Sequence, residues 1–305
     1  MGLKFGTEQF EDVFQDWEAF LPSCNTDTIF LTPIWQKIWW DHFSNGSLLS
    51  ICSLRDDDQL IGLAPLAIKD GIVRFIGGKD LFDYHDFLTL KGQEPKLFEA
   101  LFQHMNVDKW RSVELHSIPE GSPTLEMLDV YAGRFGYSVI VEEEDKTPSM
   151  FLPESWDEYL LGLPRKYRHE LRRKLRRIES SGEYVQHNYR RSSEVRHGME
   201  DFFRLYAMSN PEKAMYMSAP RKTFFLEMAD RLSEDSMLVL SVLEFEGVQV
   251  AACINFDYKE SYLLYNSGYD PDYSYLSVGL VNTALTIKDA IDVGKTRFDF
   301  LRGTE

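Results

Sequence analysis

The sequence predicts an α/β (α+β) fold of two tandem units, each a mixed, largely antiparallel sheet flanked by helices. Two observations lead there. First, 305 residues with 44% hydrophobic and 14% aromatic side chains can bury a large core, and domains run to roughly 100–200 residues, so the length suits two domains or one large one. Second, both halves follow one order: hairpin, third strand, helix, strand. From hairpin to last strand is about 54 residues in the first half (Asp56 to Trp110) and about 49 in the second (Glu246 to Lys295). A supersecondary plan repeated at nearly constant spacing is the mark of an internal duplication. The expected division is 1–150 and 151–305.

The elements follow from local chemistry. Past a first helix, Thr32-Pro33 is a capping residue followed by proline at the first helical position, and it starts a helix over Trp35–Phe43. Leu48–Leu54 and Gln59–Ile68 read as strands around the polar loop Arg55-Asp56-Asp57-Asp58, and Ile72–Ile76 continues after Asp70-Gly71. Phe82–Leu90, Ser112–His116 and Tyr137–Glu142 are expected strands, and Pro95–Met105 and Pro123–Phe135 are helices. After a helical interval, Met237–Glu244 and Val248–Asp257 flank the turn Phe245-Glu246-Gly247. Ser261–Ser267 is the third strand, Val278–Val293 the helix and Thr296–Phe300 the last strand.

Charge is unevenly spread. The net charge is -16, which argues against a surface that grips nucleic acid or an anionic membrane throughout, because both need positive potential. Yet Arg165 to Arg177 reads RKYRHELRRKLRR, eight Lys or Arg with one acid, Glu170. That is +7 locally and leaves -23 for the remainder. Leu171, Leu175 and Ile178 recur at helical spacing, so 165–178 is an amphipathic basic helix. It is either a solvated face paired with acidic neighbours or an anion site for the phosphates of a cofactor or carrier.

Several functions are disfavoured. Three cysteines lie far apart without CxxC spacing and are expected to be reduced. The seven histidines form no HxxxH or HExxH pair, so no metal site is expected. There is no GxGxxG, GxxxxGK[ST] or GxSxG, which removes support for dinucleotide enzymes, P-loop enzymes and α/β-hydrolases. The first 25 residues lack an apolar signal core, Gly6 stands where myristoylation needs Ser or Thr, and no run approaches a membrane span. The expected location is the cytoplasm.

The C-terminal run carries the most chemistry. A strand ends in Asn266-Ser267-Gly268-Tyr269, a loop holds Asp270-Pro271-Asp272, and a helix begins near Leu276-Ser277-Val278-Gly279. Ser277 reads as an N-cap, and backbone N–H groups at such a helix start suit a pyrophosphate.

The pattern YxSGYDxxYxxLSxGL followed by RFDFLRGTE resembles the second half of the CelD/FemAB-like acyltransferases of the GNAT superfamily. Phe30-Leu31-Thr32-Pro33-Ile34-Trp35, Asp83-Tyr84-His85-Asp86 and LPRKYRHELRRKLRRIE are also similar. The resemblance runs from about Phe30 to Glu305, and the family is built of two GNAT-like units. It implies an acyltransferase that moves an acyl group from acetyl-CoA or another acyl-CoA to an amine acceptor, such as a cell-envelope or polysaccharide precursor. It further implies donor phosphates near Tyr275, Ser277, Val278 and Gly279, with Arg165, Lys166 or Arg168 as outer charges. Tyr265 or Tyr269 would be the acid and Asp299 the base or substrate anchor, with Asn266, Arg302 and Glu305 shaping the pocket. His85 would assist from the first unit, with Asp86 beside it on the substrate side. No metal is implied.

Three departures stand out. Val278 replaces a usual proline. The sequence stops at Glu305 where relatives continue, so the second sheet is shortened or closes differently. A single helix of about 25 residues, Glu154 to Ser180, stands where tRNA-using Fem ligases carry a long helical hairpin. This favours a small acyl donor over aminoacyl-tRNA. The rival readings are a Fem-type aminoacyl-tRNA-dependent ligase and a non-catalytic GNAT-fold binding protein.

Overall fold

The computed structural model describes residues 2–108 and 110–303, without the side chains of 106–108. The chain divides into two compact units, Met1–Asp145 and Lys146–Glu305.

The first unit runs β1 (Leu3–Glu8), α1 (Phe10–Phe20), α2 (Pro33–Phe43), β2 (Leu48–Asp56), β3 (Gln59–Lys69), β4 (Ile72–Phe75), β5 (Leu88–Thr89), α3 (Glu94–Asp108), β6 (Ser112–Val113) and α4 (Pro123–Phe135). Its sheet order is β1-β2-β3-β4-β6, with β5 paired to β3. Helix α2 starts as its sequence predicts: the Thr32 hydroxyl accepts from the Trp35 N–H, and Pro33 fills the first turn. Apolar side chains from both sheet faces are covered, by α3 and α4 on one side (Phe98, Leu101, Tyr131) and by α1 on the other (Phe10, Val13, Trp17).

The second unit runs β7 (Ser149–Phe151), α5 (Trp156–Gly162), α6 (Arg165–Ser181), β8 (Tyr184–Tyr189), α7 (Ser192–Ser209), α8 (Pro211–Tyr216), α9 (Ala219–Glu234), β9 (Leu238–Phe245), β10 (Val248–Tyr258), β11 (Ser261–Tyr269), α10 (Val278–Asp292) and β12 (Arg297–Asp299). Its sheet order is β7-β12-β11-β10-β9-β8. The duplication is visible in the ladders. In each unit an antiparallel hairpin (β2-β3, β9-β10) is followed by an antiparallel third strand (β4, β11), then a helix, then a parallel strand (β6, β12).

The structure departs from the sequence expectations in four places. Of the strand expected over Phe82–Leu90, only Leu88–Thr89 joins the sheet, and Leu90 forms an isolated antiparallel bridge with Cys24. The Asp86 carboxylate gathers donors from Thr26, Ser122 and Thr124, which pulls the preceding backbone away from the ladder. Tyr137–Glu142 forms no strand. Gly136 ends α4 in the left-handed conformation, and the chain then leaves Ile140 and Val141 exposed. The single helix expected over Glu154–Ser180 is two, because Leu163 precedes Pro164 and takes an extended conformation. Finally, strands β1, β7 and β8 were not expected. Strand β7 runs antiparallel to β12, so a segment from ahead of the basic helix takes the place beside the last strand.

Candidate functional site

The second unit's sheet has two dressed faces. Alternation along the strands puts Ser241, Leu243, Ala251, Cys253, Asn255, Tyr262 and Leu264 under α10. Leu240, Val242, Ala252, Ile254, Phe256 and Gly268 lie on the α7/α9 side. Gly268 is required there: a Cβ would overlap the backbone N and Cα of Tyr206 in α7.

Strands β11 and β12 pair in parallel only over Ser261–Leu263 against Arg297–Asp299. Strand β11 then runs on to Tyr269, held by β10 alone among the described residues. Register shifts at Ile254/Asn255, which leaves Tyr265 as the extra residue of a bulge. The outer edge beyond the bulge is polar. Ser267 O accepts from Lys213 Nζ at 3.0 Å, and Tyr269 N–H donates to Ser209 Oγ at 3.1 Å. The backbone of Ser267 and Tyr269 therefore faces the side that β12 has vacated.

At the end of this edge, Pro271–Leu276 forms a 3-10 turn capped by the Asp270 carboxylate, and α10 begins. Ser277 stands at the N-cap as its sequence position implies, but its backbone is left-handed (φ 58, ψ 41) and its side chain makes no cap bond. Its hydroxyl accepts instead from Lys174 Nζ at 2.8 Å, while Arg177 Nη1 donates to Tyr275 O at 2.8 Å. The first helical bond is Val281 N–H to Ser277 O. The N–H groups of Val278, Gly279 and Leu280 thus have no helical carbonyl to bond. The Tyr269 ring lies against Gly279, and Tyr275 is exposed.

The basic helix α6 packs antiparallel to α10, with Leu171 near Ala284 and Ile178 near Val278 and Val281. Lys174 and Arg177 therefore reach the α10 start. Arg165 is nine residues before Lys174, about 13 Å back along the helix axis. Arg168 donates to Leu161 O at the far end, and Lys166 sits beside Tyr167. Sequence reading missed Lys174 and Arg177 because the direction of α6 against α10 is set by distant packing. The local signal was their flanking position beside Leu171 and Ile178.

Asp299 is 3% exposed. Its Oδ1 accepts from Leu301 N–H at 2.8 Å, closing a turn in which Leu301 has φ 55, and Arg297 lies 3.8 Å from Oδ2. Phe298 and Phe300 face α10, so Asp299 points to the α7/α9 side. There Tyr265 stacks between Phe225 and Phe256, and Asn266, opposite Ile254, shares that face. Arg302 is half-buried just past the turn. Glu305 lies outside the described residues.

A separate network closes the α10 side. Arg190 Nη2 donates to Tyr262 Oη (2.8 Å) and Asp289 (2.6 Å). Burial, then the Asp289 charge, raises the Tyr262 phenol well above its ordinary value, so it stays protonated.

His85 and Asp86 belong to the core of the first unit. The His85 ring stacks between Phe75 and Phe82 (5.2 and 4.3 Å), with Nε2 3.3 Å from Ile76 O. Asp86 accepts from Ser122 (2.6 Å), Thr124 (2.5 Å), Thr26 and the Phe87 N–H. Burial outweighs these bonds and raises its pKa. Among the described residues no cluster of His, Cys, Asp and Glu is arranged to hold a metal, and no helix is long and apolar enough to cross a membrane.

Residues 165–305 match the family model described as an acetyltransferase (GNAT) domain. No curated protein matches the chain by sequence. Among solved structures, the crystal structure of FemX shares 13% identity with a TM-score of 0.65, over 99% of this chain and 89% of that one. The C-terminal domain of a putative lysylphosphatidylglycerol synthetase from Agrobacterium fabrum shares 10% at 0.54, over 97% and 79%. A tandem GNAT protein from the clavulanic acid biosynthesis pathway shares 10% at 0.50, over 100% and 91%. By sequence, residues 165–305 are similar to an acetyltransferase (GNAT) domain, and the whole chain shares its fold with FemX and with a tandem GNAT protein.

Proposed function

We propose that the chain transfers an acyl group from a coenzyme A thioester to an amine, in the cleft where β11 runs on past β12. The observation that carries this reading is the early end of the β11–β12 ladder at Leu263–Asp299. It leaves the outer edge of β11 beside the bulge at Tyr265 without a strand partner, met by the side chains of Lys213 and Ser209 that a donor would displace, and running toward the start of α10. A linear donor arm fits such an edge as a strand would, and its pyrophosphate meets the Val278 and Gly279 N–H groups. Lys174 and Arg177 add positive charge there. Arg165, Lys166 and Arg168, at the other end of α6, are placed for the outer phosphate or for a different task.

The chemistry asks little of the protein. The amine nitrogen attacks the thioester carbonyl, the C–N bond forms and the C–S bond breaks. The amine loses a proton and the thiolate gains one. In this reading a β11 backbone N–H polarises the carbonyl, Asp299 takes or orients the amine proton, and Tyr265 or Tyr269 protonates the thiolate. Asn266 and Arg302 line the acceptor side. The amino sugar of an envelope or polysaccharide precursor is the first acceptor to assay.

The test is thermal shift with coenzyme A and acetyl-CoA. A ligand at about 100 times its Kd stabilises the folded state by about 2.7 kcal/mol, and the melting point should rise accordingly. Lys174→Gln and Arg177→Gln together should abolish most of that rise. If neither ligand moves the melting point of the unaltered protein, the donor assignment fails.

A further inference from the structure

We propose that the exposed face of α6 docks the protein on an anionic lipid surface. Lys174 and Arg177 are engaged with α10 and its preceding turn, but most of the basic residues are not. Arg165, Lys166, Arg172 and Arg176 are exposed, on the side of α6 opposite Leu171 and Ile178. Glu170 is the acid within α6 that pairs with its cations, and it holds Arg173 and Lys174. None of the four exposed cations has an ion-pair partner among the described residues, although the chain carries 49 acids. Several cations elsewhere are matched: Arg55 with Glu8 and Asp16, Arg190 with Asp289, Arg196 with Asp230, Lys295 with Asp257. A stripe about 16 Å long kept clear of carboxylates in so acidic a protein is a surface for an external polyanion.

Apolar side chains near both ends of the stripe select a bilayer as that polyanion. Leu161, whose carbonyl accepts from Arg168, is 64% exposed. Tyr275, whose carbonyl accepts from Arg177, is 59% exposed, and Leu280 in the first turn of α10 is 47% exposed. Aliphatic groups gain nothing against a phosphodiester chain, but they and tyrosine partition into a lipid interface beside snorkelling arginines. Acidic charge elsewhere, -23 outside residues 165–177, repels the same surface. The protein therefore has one favourable docking orientation.

Cosedimentation of the full chain with vesicles tests this. The protein should pellet with phosphatidylcholine vesicles containing phosphatidylserine, not with phosphatidylcholine alone, and should release as salt rises toward about 0.5 M. Each neutralised cation should cost about fivefold in affinity. Arg172→Gln with Arg176→Gln should thus weaken binding by about 25-fold, with an unchanged circular dichroism melt showing that the fold is intact. Leu161→Ser with Tyr275→Ser should weaken binding while leaving its salt dependence in place. Absence of binding to the anionic vesicles, or binding indifferent to the arginine substitutions, overturns the proposal. So does an RNA duplex that binds more tightly and displaces the vesicles.

Discussion

Asp299 answers two demands with one carboxylate. Its Oδ1 closes the turn at Leu301, while the group as a whole points to the face that holds Tyr265. Asparagine keeps an acceptor for the Leu301 N–H but has no charge to take or orient an amine proton. Asp299→Asn should therefore leave the melting point within about 1 kcal/mol of stability and lower turnover by about a hundredfold or more. Steady-state acyl transfer to an amino sugar would measure it, and unchanged turnover would leave Asp299 a turn residue only. Asp86 makes a different prediction. Its folded pKa is raised by burial, so the native state binds more protons than the unfolded chain once pH passes the ordinary aspartate value. The stability this group contributes is full below that value and is lost as pH rises through the raised one. The stability of the unaltered protein relative to Asp86→Asn, from urea unfolding, should fall as pH rises above the ordinary aspartate value of about 4. An advantage that grew with pH would refute the assignment. The sequence shows both aspartates as polar residues inside aromatic runs, but their partners at positions 26, 122, 124 and 301 are a matter of tertiary contact.

Elements were legible where a local pattern decides them. The hairpins β2-β3 and β9-β10 alternate around polar turns, and α2 announces itself by Thr32-Pro33, so their positions follow from the sequence alone. Strands β1 and β7 are edge strands, with four of six and two of three residues exposed, and they carry no alternation for a reader to find. The break in the basic helix was written in Leu163-Pro164 but hidden by the continuous charge pattern around it. Two predictions belong to this scale. Gly268→Ala pushes a methyl into the rigid backbone of α7, and overpacking of that kind costs about 1–3 kcal/mol; a urea midpoint would read it. Ser277→Gly removes a left-handed side chain that costs about 1–2 kcal/mol. It also forfeits the Lys174 hydrogen bond, worth about 0.5–1.5 kcal/mol. The two nearly cancel, so the melting point should hardly move.

At the scale of the molecule, the described sheet ladders each fall within one unit. Among the described residues, strands β7 to β12 pair only with one another. The core clusters around Ile178, Phe298 and Leu160 draw every member from the second unit, while those around Phe98 and Trp17 draw theirs from the first. The proposed donor site, from the β11 edge to Lys174, Arg177 and the start of α10, also lies wholly within the second unit. A fragment starting at Lys146 keeps β7 beside β12 and should fold alone, melting cooperatively and responding to acetyl-CoA with a rise in melting point. A fragment starting at Trp156 loses β7 and bares the outer edge of β12, where Phe298 pairs with Met150 and Asp299 with Ser149. It should melt lower and respond weakly, because the strand that carries Asp299 is then held on one side by only three residue pairs. If both fragments behave alike, β7 is a surface appendage. If the longer one fails to fold, the first unit supplies stability that the second unit's own bonds do not.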